Sequence, residues 1–270
     1  MTALIRTAAA SEQGARNSNE DAVAVGRAGL GHYAVLADGA GGHQRGAEAA
    51  ERAVACMVRL LEDAAADFSP DRLTQMVHQT QAELLRHQAS AGLQGRMHCT
   101  LVALWLAPGS GHVLWTHVGD SRLYRFRHGH ADMVTLDDSV VQQMVQAGLI
   151  NPEQARHHPQ KNQLTAALGM DGEITPHTVV RPVEVLPGDA FLLCSDGWWG
   201  DLTLDELATS LDQTLDPAHW LDTLRRRITA LARPRQDNFS AVALWVGDPA
   251  ELARPGSDDT QPGQQLAPLG

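Results

Sequence analysis

Carboxylates recur at the ends of apolar runs in this chain, and that placement constrains the fold more than any other feature. The segments are Arg-Asn-Ser-Asn-Glu20-Asp21, Leu-Ala-Asp38-Gly39-Ala-Gly-Gly, Val-Gly-Asp120-Ser-Arg, Cys-Ser-Asp196-Gly197 and Gln-Asp237-Asn238. Nearly every one adjoins a run that reads as a buried strand, where an ionised carboxylate is costly unless a compensating charge lies beside it. A pair of hard divalent cations is the simplest compensation. Ligation by oxygen alone, with no Cys or His pair nearby, favours magnesium or manganese over zinc.

Short apolar runs at 33–37, 100–106, 113–118, 123–126, 191–194 and Phe239–Val246, several bounded by Gly or Pro, are read as strands. Helical periodicity appears at 46–62, with Val54, Met57, Val58 and Leu61 on one face, and again at 70–87 with Leu73, Val77, Leu84 and Leu85. A second helical pair is read at 203–211 and 217–231. Strands and helices therefore come in blocks and not in strict alternation, which points to antiparallel sheets with helical layers outside. From Gly247 onward turn-forming residues follow without periodicity, so residues 248–270 are expected to be a disordered tail behind one domain at 1–247.

Composition narrows the function. At 270 residues and 43% apolar content, with no repeat of fixed period, the chain can bury one sizeable core or at most two small ones. A net charge of −11 and the lack of a basic stripe argue against a nucleic-acid partner. Cys56, Cys99 and Cys194 are widely spaced in apolar stretches and read as reduced core thiols, which points to the cytoplasm. The N-terminal Met-Thr-Ala-Leu-Ile-Arg lacks the apolar core of a signal peptide, and no apolar run approaches the roughly 20 residues of a spanning helix. No membrane partner is expected.

In order along the chain, Arg16-x-x-x-Glu20-Asp21, Asp38-Gly39-x-Gly41-Gly42-His43, Gly119-Asp120-Ser121-Arg122, Asp137-x-Ser139, Ser195-Asp196-Gly197 and Asp237-Asn238 resemble the metal-dependent type 2C serine/threonine protein phosphatases. The likeness covers roughly residues 5–246, and Asn-Gln-Leu-Thr-Ala-Ala-Leu-Gly at 162–169 is similar to the bacterial branch. An isolated Asp-Gly is usually a turn, but several ordered segments at compatible spacing are specific. The resemblance implies an α+β fold, a four-layer α-β-β-α sandwich of two antiparallel sheets flanked by helices, with a dinuclear site at one edge. It implies hydrolysis of phosphoserine and phosphothreonine by a hydroxide shared between two Mn2+ or Mg2+ ions.

By that resemblance Asp38 bridges both ions, Asp196 and Asp237 complete one site, and Glu20 with the carbonyl of Gly39 completes the other. Asp120 with Asp196 would hold a weaker third ion. Asp21 and Asn238 would orient the ligands, and Arg16, whose planar fork suits phosphate, would act with Asp38 as the catalytic pair. His43 is either a proton donor to the leaving oxygen or a polar turn residue. Segment 139–169 would be a flap whose Gln142, Gln143, His157, His158 and Lys161 face the substrate protein. Arg122 is read as a brace for Asp120, and Asp189 as a turn residue.

Departures from the family pattern are equally informative. Ala40 stands where many relatives carry a His or Met, which leaves protonation of the leaving group unassigned, a contribution typically of about 10²–10⁴ in rate. Asp137-Asp138-Ser139 has Asp in place of the usual middle His, and Met97-His98-Cys99-Thr100 replaces a Gly-Thr/Ser-Thr pattern. The leading expectation is a phosphatase opposing a bacterial Ser/Thr kinase on a phosphoprotein substrate. The alternatives are a catalytically weak phosphoprotein-binding scaffold or sensor, and a small-molecule phosphoesterase. Retention of all the carboxylates argues against a scaffold, since crowding them without metal is unfavourable.

Overall fold

The computed structural model describes residues 4–29, 31–40, 44–63, 67–92, 97–107, 109 and 111–247. Its elements run β1 (Ile5–Glu12), β2 (Asp21–Ala28), β3 (Gly31–Ala40), α1 (Gln44–Asp63), α2 (Pro70–Ser90), β4 (His98–Cys99), β5 (Leu101–Leu106), β6 (His112–Val118), β7 (Arg122–Arg127) and β8 (His130–Met133). They continue through α3 (Val140–Gln146), α4 (Pro152–Arg156), β9 (His177–Thr178), β10 (Val183–Glu184), β11 (Ala190–Cys194), α5 (Asp196–Trp199), α6 (Leu204–Asp212), α7 (Pro217–Ala230) and β12 (Phe239–Val246).

Uninterrupted apolar strands mark sheets covered on both faces, because alternate side chains then enter two different cores. In β12, Phe239, Ala241, Ala243 and Trp245 enter a core shared with α6 and α7, while Val242, Leu244 and Val246 point the other way. β3 divides in the same fashion, with Tyr33, Val35 and Ala37 facing α1 and α2, and Ala34 and Leu36 facing the other sheet. Three apolar layers result, and they separate four layers of secondary structure.

One antiparallel sheet has the order β1-β12-β11-β7-β8, and the other β10-β6-β5-β3-β2, with β4 paired to β3 and β9 to β6. The helices cover the outer faces through Met57 and Leu61 of α1, Leu73, Val77 and Leu84 of α2, and Trp220, Leu224 and Ile228 of α7. Their starts are fixed locally. Ser69 accepts from the Arg72 N–H ahead of Pro70, and Thr203 and Glu206 form a reciprocal capping box. The α+β sandwich implied by the family resemblance is therefore the observed fold.

Two long strands, β1 and β2, escape the sequence reading, as do the short strands β4, β8, β9 and β10. β1 is Ala-rich, with Ile5 and Thr7 as its strand formers, yet it pairs with β12 along its whole length, from Ile5 opposite Val246 to Glu12 opposite Phe239. Tertiary pairing overrides its weak local preference. β2 pairs with β3 in the same continuous way. Segment 139–169 is not a bare loop: it carries α3 and α4 and is closed at its root by the Val140 N–H donating to the Gln163 carbonyl at 2.9 Å. Cys56, Cys99 and Cys194 are buried free thiols. Among the described residues no helix is long and apolar enough to cross a membrane. The expected tail at 248–270 lies outside the described residues.

Leu36 is fully enclosed between the sheets. Leu36→Ala is expected to cost about 3 kcal/mol, read as a lowered urea midpoint with unchanged m-value. A loss below about 1 kcal/mol would mean that the sheets are not packed through this position.

Candidate metal centre

Antiparallel pairing brings the acidic segments to one end of the molecule. In one sheet β2 begins where β3 ends, with Asp21 opposite Asp38, and β5 begins where β6 ends, with Leu101 opposite Val118. In the other, Cys194 lies opposite both Arg122 and Ala241, so β11 ends where β7 and β12 begin. Glu20, Asp38, Gly39, Asp120, Asp196 and Asp237 consequently line one cleft of about 250 Å³, together with Arg16, Ala40, Thr100, Asn162, Leu164 and Asn238.

Backbone hydrogen bonds fix the positions of these groups. The Asp38 N–H donates to Thr100 Oγ1 at 2.9 Å, and the Thr100 N–H donates back to the Asp38 carbonyl at 2.8 Å. Thr100 Oγ1 also lies 2.7 Å from Ser121 Oγ. The Gly39 N–H donates to the Glu20 carbonyl at 3.0 Å. A Cβ at Gly39 would collide with the backbone of Gly46 and Glu20, so only glycine lets the end of β3 approach Glu20 this closely. Gly197 is under the same constraint from the Asn238 carbonyl.

Asn238 joins the two edges of the cleft. Its Oδ1 accepts from the Glu20 N–H at 2.9 Å, its Nδ2 donates to the Gln13 and Ser18 carbonyls at 2.7 and 2.9 Å, and its own N–H donates to Asp237 Oδ1 at 2.9 Å. Asp21 Oδ2 accepts from the Ser195 hydroxyl at 2.9 Å, and Ser195 Oγ accepts from the Ser240 N–H at 3.0 Å. Among the described residues Asp21 Oδ1 is buried with no hydrogen-bond partner.

Burial and mutual repulsion dominate the electrostatics. Asp38 is held well above the usual carboxylate range, first by burial and then by the charges of Asp21, Asp196, Asp120 and Asp237. Asp120 is raised by burial and by Asp196 and Asp137, with Arg122 opposing. Burial pushes Asp196 up to about 6, aided by Asp237 and opposed by Lys161, and burial pushes Asp21 up to about 7. Oxygen donors that resist joint ionisation fit hard divalent cations such as magnesium or manganese.

Arg16 stands at the rim with Nη2 2.6 Å from Asp237 Oδ2, and that hydrogen bond raises its pKa. Arg122 departs from its expected role. Its Nε and Nη2 reach Asp137 at 3.0 and 2.7 Å, and its guanidinium lies 3.6 Å above the Trp199 ring, so Asp137 is the carboxylate it braces. Asp189, expected as a turn residue, does accept from the Leu186 N–H, but it also takes Arg127 through both oxygens. His43 lies outside the described residues. Thr100, Ser195, Asn162 and Leu164 stood inside motifs read from the sequence but were given no site role there. Ser195 was findable as the neighbour of Asp196, whereas Asn162 and Leu164 reach the cleft only through the path of the flap.

Most of the chain is similar to known proteins. The family model described as Protein phosphatase 2C matches residues 10–241. The serine/threonine protein phosphatase PstP of Mycobacterium tuberculosis is 34% identical over 253 residues, covering 92% of this chain and 46% of that protein, so the chain spans about half the length of this relative. The crystal structure of the catalytic domain of PstP in complex with two manganese ions superposes with a TM-score of 0.79 at 30% identity, covering 92% of this chain and 100% of that one. PppA, a key regulatory component of the type VI secretion system in Pseudomonas aeruginosa, gives a TM-score of 0.75 at 31% identity, covering 91% and 99%.

A raised carboxyl pKa means that the folded protein holds its proton more tightly than the unfolded chain, so this contribution is complete below the ordinary value of 3.8 and lost as pH rises through about 6 for Asp196 and about 7 for Asp21. Divalent cations should offset that loss. The rise in melting temperature given by magnesium over EDTA is expected to grow between about pH 5 and about pH 7.5. A magnesium effect independent of pH across this window would contradict the electrostatic assignment.

Proposed function

The chain belongs to the protein phosphatase 2C family, and on that premise we propose that it is a metal-dependent protein serine/threonine phosphatase. The observation that carries this reading is the convergence of Glu20, Asp38, Gly39, Asp120, Asp196 and Asp237 on one cleft with Arg16 at its rim. Asp38 would serve two divalent ions, Asp196 and Asp237 one of them, and Glu20 with the Gly39 carbonyl the other. Asp120 and Asp196 would serve a weaker third. Two manganese or magnesium ions held there would supply an acidified water as nucleophile and offset the charge of the phosphate.

The residues of the chain do the remainder. Arg16, held at the rim by Asp237, offers a planar fork to two phosphate oxygens and fixes the ester for in-line attack. Asn238 and Thr100 hold Glu20, Asp237 and Asp38 through backbone contacts, so the cleft is organised before substrate arrives. Ala40 offers no proton to the leaving serine or threonine oxygen, which places that step on water and favours activated aryl esters over alkyl phosphates. Asn162 and Leu164 of the flap line the cleft, the charge of Lys161 reaches Asp196, and the three are assigned to the protein substrate. The substrate is read as a phosphoprotein of a bacterial Ser/Thr kinase system in the cytoplasm, consistent with three buried free thiols.

Asp38→Asn or Asp196→Asn is expected to lower manganese-dependent hydrolysis of p-nitrophenyl phosphate and of a phosphothreonine peptide by at least about 100-fold while leaving the protein folded. Near-wild-type turnover in either variant would overturn the assignment. Arg16→Ala should raise KM about 10-fold with a smaller change in kcat, because the contact exists in both ground and transition states. An unchanged KM in steady-state assays would remove Arg16 from the phosphate site.

A further inference from the structure

Three groups from separate parts of the chain meet at the root of the flap, apart from the carboxylates of the cleft. His117 comes from β6, Asp138 from the turn before α3, and His177 from the short edge strand β9. One donor atom from each lies within 4.8 Å of the other two. His177 Nε2 is 2.8 Å from Asp138 Oδ1, and the two imidazoles stack with centroids 4.8 Å apart and planes inclined by 22°.

His117 is the informative member. It is 3% exposed, and its Nε2 lies 2.7 Å from the Leu136 carbonyl, an acceptor, so the ring proton resides on Nε2 and Nδ1 is left as a bare lone pair. Among the described residues Nδ1 has no hydrogen-bond partner. Burial favours the neutral ring, as metal ligation requires. A buried acceptor without a partner is costly and calls for an explanation. The ion pair between His177 and Asp138 satisfies those two groups and does nothing for Nδ1.

We propose that His117, Asp138 and His177 form a second metal site, selective for a borderline transition ion of the zinc class. Two imidazoles and a carboxylate suit zinc, whereas the all-oxygen cleft suits magnesium or manganese. The 2.8 Å between His177 Nε2 and Asp138 Oδ1 is a hydrogen bond whose proton would leave as the ion binds, and side-chain rotation would bring the donors, now within 4.8 Å of one another, to the edge of about 3.3 Å of a tetrahedron with bonds near 2.0 Å. The outer hydrogen bonds already have the form that steadies metal ligands: Leu136 accepts from His117 Nε2, and the Gly119 N–H donates to Asp138 Oδ2 at 2.9 Å, leaving Oδ1 for the ion. The His177 side chain is 46% exposed, which provides an entry path and an open fourth position.

The location gives such a site a consequence. The Asp138 N–H donates to the Gly119 carbonyl at 3.0 Å, the Asp138 carbonyl accepts from the Thr165 N–H at 2.8 Å, and the next residue, Ser139, caps α3. Gly119 immediately precedes Asp120. An ion at this point braces both arms of the flap root against β6, one residue from a carboxylate of the cleft.

The test is a zinc titration of the full chain in saturating magnesium, read by competition with a chromophoric chelator. Wild-type protein should bind one zinc equivalent that His177→Ala and Asp138→Asn each weaken by more than about 100-fold, beyond the usual effect of losing an outer partner. The exposed-histidine control His130→Ala and the cleft variant Asp38→Asn should keep it, and Cu2+ bound there should show nitrogen couplings in its electron paramagnetic resonance spectrum that are reduced in His177→Ala. Equal zinc affinity in wild type and His177→Ala would overturn the proposal, as would loss of the zinc equivalent in Asp38→Asn with retention in His177→Ala. Failure of the phosphatase reading would leave these binding results untouched.

Discussion

Asp38 is partly buried at the end of a strand, stands opposite Asp21 across the ladder, and feels the charges of Asp196, Asp120 and Asp237 as well. Like charges directly opposite on neighbouring strands destabilise a sheet, and burial amplifies the repulsion. The ends of both sheets are therefore the least favourable part of the fold for a metal-free chain at neutral pH. Three apolar layers hold them together. Residues such as Leu36, Trp105 and Trp245 are buried almost completely on strands whose ends carry or adjoin the carboxylates, so the repelling groups cannot relax apart without opening a core.

Placement of the charges rests on neutral partners. Asn238 ties the backbone of Glu20 to the start of β12, Thr100 exchanges hydrogen bonds with Asp38, and Ser195 links Asp21 to Ser240. Arg122 acts one step further out, locking Asp137 at the foot of the flap while stacking on Trp199, whose indole N–H donates to the Asp120 carbonyl at 3.0 Å. The flap is anchored through Asp138 and reaches the cleft through Asn162 and Leu164. Its root and its rim thus belong to one connected set of contacts, and a change in stiffness at His117, Asp138 and His177 has a direct path to Asp120 through Gly119.

Much of this was legible in the sequence. The strands buried on both faces announced themselves as unbroken apolar runs, and the acidic segments at their ends could be read as one site because antiparallel pairing brings such ends together. Helices α1, α2, α6 and α7 followed from apolar periodicity, whereas their caps at Ser69 and Thr203 came from the structure. β1 was invisible because its alanines gain strand character only by pairing with β12. The partner of Arg122 was misread, since Asp120 is closer in sequence but Asp137 is presented by the turn after β8. The grouping of His117, Asp138 and His177 could not be found from spacing at all, because β6, the flap root and an edge strand bring it together only in three dimensions.

The central claim is that this carboxylate cluster is built around divalent cations. Anomalous diffraction from crystals grown with manganese tests it most directly. Two strong peaks within about 2.0–2.6 Å of oxygen atoms from Asp38, Glu20, Asp196, Asp237 and the Gly39 carbonyl are expected. A fully ordered cleft in which manganese scatters nowhere near Asp38 would contradict the claim.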